Sequence, residues 1–117
     1  MRVIARGTLI GFVSNRVARG QQAVVKAQLD AWYDVVRKAA WKNSAELKAQ
    51  FASASILSAE RVVFNIKGND YRLIVAIDYY YQFVRIKWLG THREYDRIDA
   101  KEVHYDKERY TGSPTSD

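Results

Sequence analysis

The clearest alternation of hydrophobic and polar positions runs from Arg61 to Asp78, RVVFNIKGNDYRLIVAID. Two β-rich runs flank Gly68 and Asn69, and a Gly-Asn pair in that setting marks a hairpin connection. With those two residues at the turn, Lys67 faces Asp70, Ile66 faces Tyr71, Asn65 faces Arg72, Phe64 faces Leu73, Val63 faces Ile74 and Val62 faces Val75. Opposed residues share a sheet face, and side chains alternate along each strand. One face therefore gathers Val62, Phe64, Ile66, Tyr71, Leu73, Val75 and Ile77, an apolar set that a one-residue slip would expose. The other gathers Arg61, Asn65, Lys67 and Arg72, with Val63 and Ile74 among them. A further run, QFVRIKWLG from Gln82 to Gly90, separates Val84, Ile86 and Trp88 from Phe83, Arg85 and Lys87 and supplies a third strand.

Upstream the period changes. Val25, Leu29, Trp32, Val36 and Ala39 recur at helical spacing while Lys26, Asp30, Asp34 and Arg37 fall off that stripe, so this segment is a helix whose apolar side covers the sheet. Thr8 is the expected cap of an earlier helix carrying Leu9, Phe12 and Val13, and Ser44 that of a short helix to Phe51. Met1 to Ala5 reads as a short strand and Arg93 to Ile98 as a helical turn. The pattern predicts an α+β fold, an antiparallel sheet with helices packed on one face and the basic face left open. From Tyr105 onward the polar segment YDKERYTGSPTSD holds the only proline. Residues 1–103 are thus expected to form one domain and 104–117 a polar, mobile tail.

Composition narrows the function classes. At 117 residues, 48% hydrophobic and 27% charged, the chain suits a single globular domain with one modest core. Nineteen Lys and Arg against 13 Asp and Glu leave +6, a balance that favours a polyanionic partner, although surface cations also serve solubility and edge protection. The absence of cysteine excludes disulfides, thiol catalysis and thiolate metal sites. Two histidines are too few for the usual structural zinc ligand sets, so neither metal nor cofactor is expected. Arg6 interrupts the N-terminal apolar run before a secretion signal develops, and no segment reaches membrane-spanning length. The expectation is a cytoplasmic protein without a membrane partner.

Candidate chemistry lies after the third strand, in GTHREYDRID, Gly90 to Asp99. His92 and Tyr95 stand three apart and would be neighbours on a helical turn. Attack of a ribose 2′-OH on the adjacent phosphate needs a base for that hydroxyl, cations for the crowded phosphate and an acid for the departing oxygen. His92 or Tyr95 suits the proton transfers, and Lys67, Arg72, Arg85 and Lys87 suit the charge. A His and a Tyr after a strand serve equally as packing or capping residues. Tyr79, Tyr80 and Tyr81 suit base stacking or an interface, and read more simply as a packed loop.

Taken in order, RGTL, AWYDVV, WKNSAELKAQF, SASIL, RVVFNIKGNDYRL and GTHREYD give the chain, from about Arg2 to Val103, a resemblance to HigB toxins of type II toxin-antitoxin systems, within the RelE-like group. The resemblance implies a ribosome-dependent mRNA endoribonuclease that blocks translation and is neutralised by a HigA-type antitoxin. It implies contact with DNA only indirectly, through the antitoxin complex. By position the family pattern matches Asn65, Lys67, Arg72, His92 and Tyr95, which puts Lys67, Arg72, His92 and Tyr95 in the catalytic group and Asn65 in RNA binding; the basic sheet face adds Arg61, Arg85 and Lys87 as RNA-binding candidates. Gly90, Thr91, Glu94 and Asp96 also match the family pattern. Lys87 stands where the family often has Arg, a real chemical difference because only Arg grips phosphate in two-pronged fashion. A second class remains open: an RNA- or ribosome-binding protein that stops translation by occupancy alone. A third is a structural partner of another protein, using its charge only for solubility.

Overall fold

The computed structural model describes residues 1–106 and 108–111. The elements run β1 (Arg2–Ile4), α1 (Arg6–Arg16), a 3-10 turn (Arg19–Gln21), α2 (Gln22–Lys38), α3 (Ser44–Gln50), β2 (Ser55–Ile56), β3 (Arg61–Ile66), β4 (Tyr71–Asp78), β5 (Phe83–Thr91), α4 (His92–Tyr95) and α5 (Glu108–Thr111). This is an α+β fold around a mostly antiparallel five-stranded sheet of order β1-β5-β4-β3-β2, with β1 alone running parallel to its neighbour β5.

The hairpin register is the expected one, from Ile66 opposite Tyr71 to Val62 opposite Val75. Its turn closes where the Asp70 N–H donates to the Lys67 carbonyl at 3.2 Å, around Gly68 at φ 64°. Val62, Phe64, Ile66, Leu73, Val75 and Ile77 all enter the main core, with Tyr71 packed at its margin. From α2, Val25, Leu29, Trp32 and Val36 pack onto it, Trp32 meeting Phe64 edge-on with ring centres 5.4 Å apart. The stripe of sequence and the buried face of the helix thus coincide from Val25 to Val36, while Ala39, expected on the same stripe, lies past the helix end with an extended backbone.

Several local expectations differ from the structure. α1 begins at Arg6, and Thr8, expected to cap it, is buried inside the helix. α3 is capped by Asn43 rather than Ser44, the Asn43 side chain accepting the Glu46 N–H at 3.0 Å. In β5 a bulge breaks the alternation: Ile74 pairs with Trp88 but Val75 with Ile86, leaving Lys87 as the extra residue. Trp88 is thereby turned away from Val84 and Ile86, and Leu89 takes the core position in its stead.

That bulge overturns the expectation of an open basic face. Val63, Ile74 and Trp88 form a row across the face away from the helices and nucleate a second small core, covered by Leu57, Tyr95, Ile98, Ala100 and Val103. Arg61 is buried beneath the same segment, its guanidinium donating to the Ala100 carbonyl at 3.1 Å. The packed structure also continues beyond Val103, contrary to a wholly mobile tail: Tyr110 is buried, its hydroxyl accepts the Leu89 N–H at 3.0 Å, and Tyr105 stacks on its ring. The remainder of the expected tail, residues 107 and 112–117, lies outside the described residues. In the β4–β5 turn, Tyr79 packs against the core while Tyr80 and Tyr81 are 85% and 72% exposed, so only the first fits a packed loop.

Candidate functional site

The divided sheet face sorts the candidate residues into two groups. On β4, Arg72 lies opposite Asn65 and Gly90, whereas Arg85 lies opposite Ala76, as does Arg61. Four residues of extended strand, about 13 Å, separate the two rows, with the Val63–Ile74–Trp88 row between them.

The hairpin end holds the first group. Lys67 and His92 line one open groove of about 700 Å³ together with Gln21, Asn69, Asp70, Tyr71, Thr91 and Arg93. Lys67 adopts a left-handed backbone at φ 53°, uncommon for a residue with a side chain. Its ammonium donates to Gln21 Oε1 at 2.7 Å and to Asp70 Oδ2 at 3.0 Å, tying the hairpin tip to the 3-10 turn. Arg72 donates to the Asn69 carbonyl at 3.1 Å, and its guanidinium sits 5.9 Å from the centre of the Tyr95 ring. Asn65 reaches toward the Ser53 carbonyl at 3.5 Å.

α4 carries His92 and Tyr95, and its placement is strongly determined. Thr91 caps it, accepting the Glu94 N–H at 3.1 Å, while the Glu94 carboxylate accepts the Thr91 N–H at 2.9 Å. The His92 N–H donates to the Asp70 carbonyl at 3.0 Å, fastening the helix to the hairpin tip. His92 Nε2 lies 3.7 Å from Asp96 Oδ2, an attraction that operates when the imidazole is protonated. Tyr95 leans on Trp88 with ring centres 6.3 Å apart, so its half-buried side chain packs against the second core.

Arg109, far along the chain, completes this support. Its guanidinium donates to the Leu89 carbonyl and to Glu94 Oε1, the latter at 3.1 Å, and lies 4.8 Å from the Trp88 ring centre. Burial alone would raise the Glu94 carboxyl, but the Thr91 N–H and the Arg109 cation outweigh it and hold the group below the usual glutamate range. Gly90 is what allows the approach: a Cβ there would stand 2.4 Å from the Trp88 ring and 2.6 Å from Arg109. Sequence pattern did not single out Gln21 or Arg109. The spacing of Thr91 and Glu94 is itself a capping-box signature, whereas nothing local announces a contact 46 residues away, as between Gln21 and Lys67.

At the opposite end, Arg85 is exposed with its guanidinium 4.9 Å from the Phe83 ring centre. Arg85, Lys87 and His104 share a shallow depression of about 240 Å³ with Glu60, Asp78 and the buried Arg61. The structure therefore brings Lys67, Arg72, His92 and Tyr95 to one end of the molecule with Asn65 beside them, and leaves Arg61, Arg85 and Lys87 at the other. No helix among the described residues is long and apolar enough to cross a membrane.

A small α+β domain with helices packed on one face of a mostly antiparallel five-stranded sheet is the fold class of RelE-like toxins. The family model of HigB toxins, described as the RelE-like toxic component of a toxin-antitoxin system, matches residues 25–98, more than half of the chain. The chain belongs to that family, and the family implies an antitoxin partner. No curated protein matches it. The matched region contains both groups of candidate residues but ends before Arg109 and Tyr110.

Proposed function

We propose that this toxin is a ribosome-dependent mRNA endoribonuclease that arrests translation by cutting mRNA through 2′-OH attack, without a metal. The observation that supports the reading is the placement of two pairs at the hairpin end, Lys67 with His92 in one groove and Arg72 over Tyr95 on the neighbouring face, in a chain of this family. In the reaction a base takes the 2′-OH proton, the oxygen attacks phosphorus, and the bond to the 5′-oxygen breaks as that oxygen gains a proton. The products are a 2′,3′-cyclic phosphate and a 5′-hydroxyl. His92 and Tyr95 are the groups able to exchange those protons, and Arg72 and Lys67 stabilise the charge gathering on the phosphate. Lys67 is paired with Asp70 and Gln21 in the free protein, so its ammonium exchanges those partners for phosphate oxygens on binding RNA. Asn65 lies beside this group and contacts the same strand of RNA, while Arg85 and Lys87 hold phosphates farther along or belonging to the ribosome. The neutralising partner is a HigA-type antitoxin, and the place of action is the cytoplasm, where translating ribosomes are.

Primer extension on a defined mRNA in a purified translation system tests this. New 5′ ends that need both the protein and ribosomes are expected. A second reading, blockage by occupancy without chemistry, draws on the same engagement of Lys67 and Arg72 with neighbouring protein groups. Stalled ribosomes on intact mRNA would establish it in place of cleavage.

A further inference from the structure

On the outer side of the helical layer, α1 and α2 leave a groove of about 430 Å³ between them. Its buried lining is entirely aliphatic, formed by Leu9, Val13 and Leu29, and Ile10 stands at its lip 47% exposed. It runs from the Arg6–Asp30 ion pair at one end to Arg19 and Gln22 at the other, about 12 Å or two helical turns of α2. Arg6, Arg19 and Lys26 rim it against a single acid, Asp30, which Lys26 and Arg6 already contact at 2.7 and 3.6 Å.

These features select the occupant. Among the described residues no aromatic ring lines the groove, so they offer nucleic-acid bases nothing to stack on. Among the described residues no buried polar group lines it, as a small polar ligand would require; the polar side chains of its lining are exposed or half-buried. An amphipathic helix lays a stripe of aliphatic side chains into such a trough, and carboxylates flanking that stripe meet the surplus cations.

We propose that the α1–α2 groove is the docking surface for an acidic amphipathic helix of a protein partner. Resting on the toxin reading, that partner is the antitoxin. The site lies apart from the His92 groove but is joined to it by the 3-10 turn: Arg19 lines one, and Gln21, two residues on, holds Lys67 in the other. A helix seated there contacts the turn that positions Lys67 while leaving His92 uncovered.

The direct test titrates a synthetic helical peptide of about 18 residues, with leucines on one face and glutamates on its flanks, into the full-length 15N-labelled protein. Amide shifts are expected at Leu9, Ile10, Val13 and Leu29, reaching Gln21 and Lys67. Affinity is expected to fall about tenfold for Ile10→Asp, for Arg19→Glu, and for a peptide with lysines replacing its glutamates. Both substituted residues are exposed, so the fold is retained. No shifts, shifts centred elsewhere, or equal binding of the lysine peptide would overturn the proposal. Concentration-dependent dimerisation abolished by Ile10→Asp would instead assign the groove to a second copy of the chain. Growth arrest is measured separately: a non-toxic protein that binds the peptide at the groove loses the toxin reading alone. A toxic protein whose Ile10→Asp variant is neutralised by its antitoxin as well as the unsubstituted chain loses the docking inference alone.

Discussion

Lys67 and Arg72 are five residues apart on a hairpin, yet their side chains have different settings. Lys67 is turned by its left-handed backbone toward Gln21 and Asp70, while Arg72 stays on the outer face over Tyr95. Arg72→Ala and His92→Ala are each expected to slow cleavage by about 10²–10³-fold, as loss of a single charge-stabilising donor does elsewhere. Urea unfolding is expected to place His92→Ala within about 0.5 kcal/mol of the unsubstituted protein, the range for exposed positions, and to show a loss of about 1 kcal/mol for Arg72→Ala, whose half-buried side chain packs over Tyr95. Unchanged cleavage in both would remove this group from the chemistry. Gly90→Ala is expected to act oppositely, on stability: its Cβ would stand inside contact distance of Trp88 and Arg109. A cost of about 1–3 kcal/mol in the same unfolding measurement is the outcome for such overpacking. At this scale the sequence was informative where placement depends on near neighbours, as with His92 and Tyr95 on one turn. It was silent on Gln21, whose role arises only when a loop far upstream meets the hairpin tip.

α4 is four residues long and has too few internal hydrogen bonds to persist alone. It is held by its capping box, by the bond from the His92 N–H to Asp70, and by Arg109 gripping Glu94. Because the folded Glu94 carboxyl lies below its unfolded value of about 4.3, its contribution is present above that pH and is lost as the pH falls toward the lowered value. Glu94→Gln is therefore expected to reduce the loss of stability on acidification below about pH 4.3, read by urea unfolding across a pH series. Arg109→Ala is expected to cost about 1–3 kcal/mol by leaving the partly buried Glu94 without its cation, and to speed amide hydrogen exchange in residues 92–96. An exchange pattern unchanged there would show that α4 does not depend on the C-terminal segment. The hairpin register and the α2 stripe were legible because strict alternation and helical spacing are local properties. The β5 bulge was not: one extra residue, Lys87, reverses Trp88 and Leu89 without disturbing the composition of the strand.

Across the whole molecule, the +6 charge is not spread over one open face. The second core divides the outer sheet surface, placing Arg72 with Asn65 at one end and Arg85 with Lys87 at the other. Arg85→Ala and Lys87→Ala are expected to weaken RNA or ribosome association and to lower its logarithmic salt slope by about 0.7–0.9 per lost phosphate contact. Cleavage of mRNA already bound is expected to continue in these variants, which single-turnover assays read. The α+β class and the apolar sheet face followed from pattern alone. The partition of the basic face did not, because residues 95–103 cover its middle only through packing that no strand pattern encodes. If the hairpin-end group cuts RNA by 2′-OH attack, the chemical ends of the product report on it directly. From mRNA on purified ribosomes, the expected product carries a 2′,3′-cyclic phosphate and a 5′-hydroxyl, and its formation collapses in His92→Ala and Arg72→Ala. Intact mRNA beneath stalled ribosomes, or fragments ending in a 5′-phosphate, would contradict that account.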